Sequence, residues 1–269
     1  MKNLAGKVAM ITGAGSGIGR ATAQVMAARG ALVAVADINM ITAQETVDLI
    51  ADAGGTAHAV SIDITSEAAI KTAIEQVAHD FGRLDVLHNN AAFAPFDVIA
   101  NDTDILGITT ENWDRVMQGT LRGTMLCCRY GVIEMLKTGG GSIVNTSSMY
   151  GMSAFNLMPA YSVSKAGINM LTQNVATAFG RKGIRCNAVA PSMIHTPMLE
   201  GAIPAPFIEM NIDATLVGYL GSPDDVAQVV AWLASDDSRY ITGQIIRADG
   251  GSTAHLPTYA DARRFFGAV

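Results

Sequence analysis

A doubly wound α/β fold, one parallel sheet with helices on both faces, is what this 269-residue sequence predicts. Short apolar runs of strand length alternate with longer helix-period segments along the chain, a pattern that calls for right-handed βαβ crossovers. The first run, Lys7-Val8-Ala9-Met10-Ile11-Thr12, passes at once into the glycine-rich turn Gly13-Ala14-Gly15-Ser16-Gly17-Ile18-Gly19. The second, Leu32-Val33-Ala34-Val35-Ala36, ends on Asp37. At this length, with 49% hydrophobic residues, one unit over residues 1–269 is expected, since α/β domains of this size are commonly single.

Strands are expected near 7–12, 32–37, 56–61, 84–89, 141–146, 184–190 and 244–248, with a helix from Gly17 to about Arg29. Gly13, Gly17 and Gly19 let the backbone turn sharply and approach a pyrophosphate, while the helix N-terminus offers free N–H groups to the anion. The Asp37 carboxylate is placed to accept hydrogen bonds from ribose hydroxyls and to repel a 2′-phosphate. No lysine or arginine stands in Asp37-Ile38-Asn39-Met40, so the expected cofactor is NAD. Further on, Thr110 to Trp113 opens a long helix, and Ser222-Pro223-Asp224-Asp225 reads as a capped helix start running through Leu233.

The chemistry is carried by Tyr161 and Lys165. Residues at i and i+4 share a helix face, so the Lys165 ammonium can lie beneath the Tyr161 phenol and favour its ionised form. An unperturbed phenol titrates near ~10, too high for a base at neutral pH without such help. Tyr-x-x-x-Lys alone is also an ordinary surface pair; the upstream Ser148 and the nucleotide-type turn favour the catalytic reading.

These segments together resemble the classical short-chain dehydrogenase/reductase family from about residue 4 to residue 252. Asp63-Ile64 matches the segment that contacts adenine there; Asn89-Asn90-Ala91-Ala92 matches the one that stabilises the sheet beside the cofactor. Ser148 stands thirteen residues before Tyr161, as the family's serine does. Pro191 to Pro197 matches the stretch that clasps the nicotinamide carboxamide, through the Ile194 backbone and the Thr196 hydroxyl. The resemblance implies a seven-stranded Rossmann fold binding NAD through Gly13, Ser16, Gly17, Ile18, Gly19, Asp37, Ile38, Asp63, Ile64, Asn90, Ala91, Ala92, Tyr161, Lys165, Pro191, Ile194 and Thr196. It implies a reversible oxidation of a secondary alcohol to a ketone: Tyr161 as base, Ser148 as hydrogen-bond donor to the oxyanion, Lys165 on the nicotinamide ribose and the phenol. It also implies a homotetramer. Two positions depart from the family: Thr120 replaces an asparagine that holds a water linked to the lysine, and Ser192 replaces a glycine.

Net charge is −6 with no basic cluster, which disfavours nucleic acid, and no apolar run suggests a membrane span or a signal segment. A cytoplasmic protein is expected. Cys127, Cys128 and Cys186 suit reduced core positions, and the five histidines show no metal-site spacing. Met152, Phe155, Leu157, Met158 and Met193 are expected to line an apolar pocket, under a lid at about 198–220, for an apolar or cyclic substrate. The stretch from Phe93 to Gly107, with Asp102 and Asp104, would border its mouth. His195 reads as a lid-edge residue. Ile168, Leu171, Val175 and Phe179 repeat at helical spacing and suggest a dimer face. The tail 252–269 either pads a second interface or reaches a neighbour's pocket. A non-catalytic NAD-binding regulatory subunit remains the alternative.

Overall fold

The computed structural model describes residues 3–93, 95–196, 199 and 203–267. Seven strands form one sheet: β1 (Val8–Thr12), β2 (Leu32–Asp37), β3 (Thr56–Ser61), β4 (Val86–Asn89), β5 (Gly141–Thr146), β6 (Ile184–Pro191) and β7 (Ile245–Ala248). Every pairing is parallel and the order is β3-β2-β1-β4-β5-β6-β7, so the winding reverses between β1 and β4. Crevices for ligands open at such a reversal, beyond the carboxyl ends of the strands.

The helices are α1 (Gly17–Ala28), α2 (Met40–Asp52), α3 (Glu67–Phe81), α4 (Phe96–Ala100), α5 (Thr110–Val116), α6 (Gly123–Lys137), α7 (Pro159–Phe179), α8 (Ala205–Asp213), α9 (Pro223–Ala234) and α10 (Tyr259–Phe266). The sheet's period of two divides the core. Val8 and Met10 join one cluster with Ile70, Ile74 and Leu126 from α3 and α6. Ala9 and Ile11 join the other with Met26, Ile50 and Val230 from α1, α2 and α9. Each fully buried side chain of this size contributes ~1.5–3 kcal/mol of apolar burial. Val230→Ala should therefore lower stability by ~1–3 kcal/mol, measurable by urea unfolding.

The capped start at Ser222 is present: its hydroxyl accepts from Asp225 N–H at 3.3 Å and the Asp225 carboxylate returns to Ser222 N–H at 2.7 Å. The three cysteines are buried and unpaired with one another, and burial pushes Cys128 up to about 12. Among the described residues no helix is long and apolar enough to cross a membrane.

Two expectations are corrected, and two segments show structure that the sequence left open. The long helix from Thr110 is interrupted by a π-helical segment, Met117–Arg122, between α5 and α6. Its extra residue turns two consecutive positions, Gly119 and Thr120, inward. The segment 93–108 contains the short helix α4. The proposed dimer stripe on α7 is core instead: Ile168 and Val175 are buried, while Leu171 and Phe179 pack against the buried cluster. The apolar residues that α6 and α7 leave exposed are others, among them Met125, Ile133, Val163 and Met170. The tail folds back on its own chain, with Arg263 and Arg264 of α10 both paired with Asp213 of α8.

Candidate active site

β1 and the turn after it build the first half of the site. Thr12 Oγ1 accepts from the N–H groups of Asn90 and Ala91, each at 3.1 Å, and Asn90 Nδ2 donates to the Thr12 and Gly13 carbonyls at 3.1 and 3.3 Å. The turn is thus laced to the end of β4. Gly13 has φ +65°, and a Cβ on Gly19 would stand 2.1 Å from the Gly13 carbonyl oxygen, so neither position admits a side chain. Ser16 precedes α1 in extended conformation and its side chain makes no capping bond. The first-turn N–H groups are left to an outside acceptor, as a pyrophosphate would require. Asp37 Oδ2 accepts from Gly15 N–H at 2.8 Å and Oδ1 from Asn39 N–H at 2.9 Å, which holds the carboxylate at the rim of the turn. Ile38 beside it is 70% exposed. These residues fit a dinucleotide.

β5 leads into Ser148, and α7 carries Tyr161 and Lys165. The Ser148 hydroxyl accepts from Tyr150 N–H at 3.2 Å and favours the ionised form of the Tyr161 phenol. Lys165 Nζ lies 5.5 Å from the Tyr161 ring centroid and donates to the Thr146 carbonyl at 2.7 Å. Ser148, Tyr161 and Lys165 are therefore together. The expected lowering of the phenol by Lys165 is not found. Burial raises the Tyr161 pKa above its ordinary value, and the Ser148 bond opposes that rise. Lys165 is turned to the carbonyl, and burial brings its own pKa down to about 8.

A family model described as enoyl-(acyl carrier protein) reductase matches residues 13–253. A protein of Bradyrhizobium diazoefficiens, described as a probable short-chain type dehydrogenase/reductase, is 43% identical over 97% of this chain and 92% of its own length. The cyclohexanol dehydrogenase of Acinetobacter sp. is 39% identical over 92% of this chain and 95% of its own. A crystal structure from Sinorhizobium meliloti 1021, described as a short-chain alcohol dehydrogenase, superposes with a TM-score of 0.88 at 30% identity, covering 95% of this chain and 99% of that one. The chain belongs to the short-chain dehydrogenase/reductase family.

It is accordingly an oxidoreductase, of a family that works with a nicotinamide cofactor. In this short-chain dehydrogenase/reductase the remaining expected positions fall as follows. Thr196 Cγ2 lies 3.7 Å from where a Cβ on Gly17 would stand, so the segment after Pro191 meets the glycine turn. Ile194 is buried and bridges Gly221, and His195, exposed, donates its N–H to the Gly221 carbonyl at 2.8 Å. Pro197 and Met198 lie outside the described residues. Asp63 Oδ1 is taken by the Thr65 N–H and hydroxyl at 2.8 and 2.7 Å, and Ile64 packs its carbonyl against Gly123. Ala91 crowds Gly13, and Ala92 is exposed. Thr120 is fully buried and its hydroxyl has no hydrogen-bond partner among the described residues. Ser192 is half-buried, with a chain path that any residue could follow.

Beside Phe155, which the sequence named, the site holds Tyr150, Phe207 and His88, to which it gave no role. Tyr150 stacks on Phe155 at 5.1 Å and meets Tyr161 edge-on at 6.3 Å; Phe155 in turn meets Phe207 of α8 at 6.4 Å. An aromatic wall thus runs from the phenol to α8. Met152 and Leu157 point more to solvent than expected. An aromatic residue two places after the serine was the available signal. His88, at an interior strand position, is fully buried, bonds Thr146 Oγ1 through Nε2 at 2.9 Å, and is held neutral, its pKa lowered to about 3 by burial and then by the Lys165 charge.

Proposed function

We propose that this chain is an NAD(H)-dependent dehydrogenase/reductase that interconverts a secondary alcohol, apolar and cyclic, with its ketone. The observation that carries the reading is the convergence of Ser148 and Lys165 on the Tyr161 phenol. The nicotinamide dinucleotide supplies the hydride acceptor or donor. Tyr161 takes the hydroxyl proton in oxidation and returns it in reduction, and Ser148 donates a hydrogen bond to the substrate oxygen as charge develops there. Lys165 supplies a cation beside the phenol and a donor for the nicotinamide ribose. The cofactor site uses Gly13, Ser16, Gly17, Ile18, Gly19, Asp37, Asn90 and Thr196. The unit spans residues 1–269, with a lid at 198–220 and the tail 252–269. The aromatic wall of Tyr150, Phe155 and Phe207 and the likeness to a cyclohexanol dehydrogenase support a ring substrate. NADH formation with a panel of cyclic and linear secondary alcohols tests the reading. No turnover with any of them, or with the matching ketones, would favour the regulatory-subunit alternative.

NAD over NADP follows from Asp37. The nearby cation, Arg20, is already occupied by Glu45 at 2.8 Å and by the Gly15 carbonyl at 2.5 Å, so it does not offset that carboxylate. Asp37→Ala with Ile38→Arg should raise the NADP-to-NAD ratio of kcat/KM by ~10-fold or more, since it removes a repelling charge and adds an exposed guanidinium. A wild type that already prefers NADP would overturn this assignment. The exposed apolar residues of α6 and α7 support a homotetramer, which light scattering on the purified protein would reveal as four times the chain mass.

A further inference from the structure

Helix α7 begins without a cap of its own. Met158, the residue before it, sits at φ +62° and ψ +48°, is the only non-glycine with positive φ among the described residues, and makes no side-chain capping bond. Pro159 follows, with no N–H to satisfy. The next two backbone donors, Ala160 and Tyr161, are bonded from fifty-eight and fifty-nine residues upstream by the two oxygens of one carboxylate: Asp102 Oδ1 accepts from Ala160 N–H at 3.1 Å and Oδ2 from Tyr161 N–H at 2.9 Å. Asp102 is 3% exposed. Its backbone carbonyl and that of Thr103 both accept from Met158 N–H, each at 3.0 Å. The left-handed residue is therefore fastened on the same segment.

Packing tells the same story independently of these bonds. Val98, Val116 and Ala160 form a small buried cluster apart from the two main cores, and Phe93, Ile108, Trp113 and Tyr161 pack around it. The ring of Tyr161 thus rests partly on the 93–108 segment. That segment is itself anchored to α5, through Asn112 Nδ2 to the Val98 carbonyl at 3.0 Å and through the Arg115–Asp97 pair at 2.8 Å.

We propose that Asp102 is a positioning residue for Tyr161: its carboxylate replaces the missing cap of α7 and locks the first turn of that helix, Tyr161 included, to the segment 93–108. A carboxylate suits this task because each of its oxygens serves one N–H. An asparagine has one acceptor and would present its amide donors to the second N–H. The local strain at Met158 is what such a lock would hold in place. The inference rests on Tyr161 as the acid–base of the proposed reaction.

Around the first turn of α7 stand the Asp102 carboxylate on the Tyr161 N–H, Lys165 on the same helix, Ser148 and the Tyr150 ring on the turn below, and Arg115 on α5, whose charge is met by Asp97. Removing one negative charge from this set favours the phenolate, so the titration of Tyr161 moves to lower pH. The test compares Asp102→Ala and Asp102→Asn with Glu111→Gln, an exposed carboxylate in the first turn of α5. Both Asp102 variants should lose ~10-fold or more in kcat, with KM for the alcohol and affinity for NADH within ~3-fold, because the reacting group is displaced while the binding surfaces remain. Their Tyr161 titration, followed by NMR of isotope-labelled tyrosine and assigned with Tyr161→Phe, should shift downward by ~0.5 pH unit or more. Glu111→Gln should leave all of these unchanged. A kcat within ~2-fold of wild type together with an unmoved titration, in either Asp102 variant, overturns the proposal. If Asp102→Ala fails to fold, Asp102→Asn, which keeps volume and one bond, decides. Should wild type and Glu111→Gln both lack turnover, the reading of Tyr161 fails, and the titration, which needs no turnover, still decides the role of Asp102.

Discussion

Tyr161→Phe is expected to lower turnover by roughly 10³–10⁴-fold while leaving affinity for NADH within a few fold. The ring still packs against Val98, Val116 and Ala160, so the loss is that of a proton carrier and not of a fold. It corresponds to ~4–5 kcal/mol of transition-state stabilisation. The stability change should be small. Ser148 keeps its bond from Tyr150 N–H, and the phenol, raised above its ordinary 10.0 by burial, is neutral at pH 7 in any case. That same rise sets a direction for the wild type. At neutral pH the phenol carries its proton and is ready for ketone reduction, whereas alcohol oxidation should quicken as pH is raised. Stopped-time assays of Tyr161→Phe in both directions check the first point, and a kcat/KM profile of wild type checks the second. Turnover of the variant near wild type would remove Tyr161 from the mechanism.

Lys165→Met is expected to do two opposite things. Turnover should fall by roughly 10²-fold or more, with weaker cofactor binding, because the cation beside the phenol and a ribose donor are both lost. Stability at pH 7 should rise. Burial holds the folded pKa of Lys165 at about 8 against an ordinary 10.5, so protonation favours the unfolded chain. The contribution of this group to stability is complete only above pH 10.5 and is lost as pH falls through about 8. The difference amounts to ~3 kcal/mol as an upper bound, less ~1 kcal/mol for the Thr146 carbonyl left without its donor. The variant should therefore melt higher than wild type at pH 7, and the gap should close between pH 8 and 10.5. A variant that melts lower at pH 7, or whose gap ignores pH, would contradict the burial argument.

All seven strands were legible; β1, β2, β4 and β6 are largely buried runs bounded by turn residues, whereas the edge strand β3 alternates exposed and more buried positions. The glycine turn, Asp37, Ser148, Tyr161 and Lys165 were legible for a different reason: their spacing is dictated by local geometry, one strand, one turn, one helix face. What spacing cannot reveal is which way a face points. Ile168 and Val175 read as surplus apolar surface, yet both are buried, and Val175 packs with Ile143, Ile184 and Cys186 of β5 and β6; the exposed large apolar residues of α7, Val163 and Met170, lie off that stripe. The π segment was hidden because one extra helical residue leaves composition unchanged. Asp102 was noticed only as an acid near a pocket mouth, because its partners are backbone N–H groups, which have no letter in a sequence.

Asp213 gives the last turn of α8 a second attachment. Arg263 and Arg264 share its carboxylate, and His255 Nε2 reaches the Ala214 carbonyl at 2.7 Å, so the final helix and the segment over the aromatic wall are one mechanical body. Phe265 and Phe266 stand at its far end, largely in water. A purification handle joined behind this helix would thus pull, in series, on α8 and the aromatic wall. High salt, which screens partly exposed ion pairs, would slacken the same linkage. Tag position and buffer strength belong among the variables of any substrate screen on this enzyme.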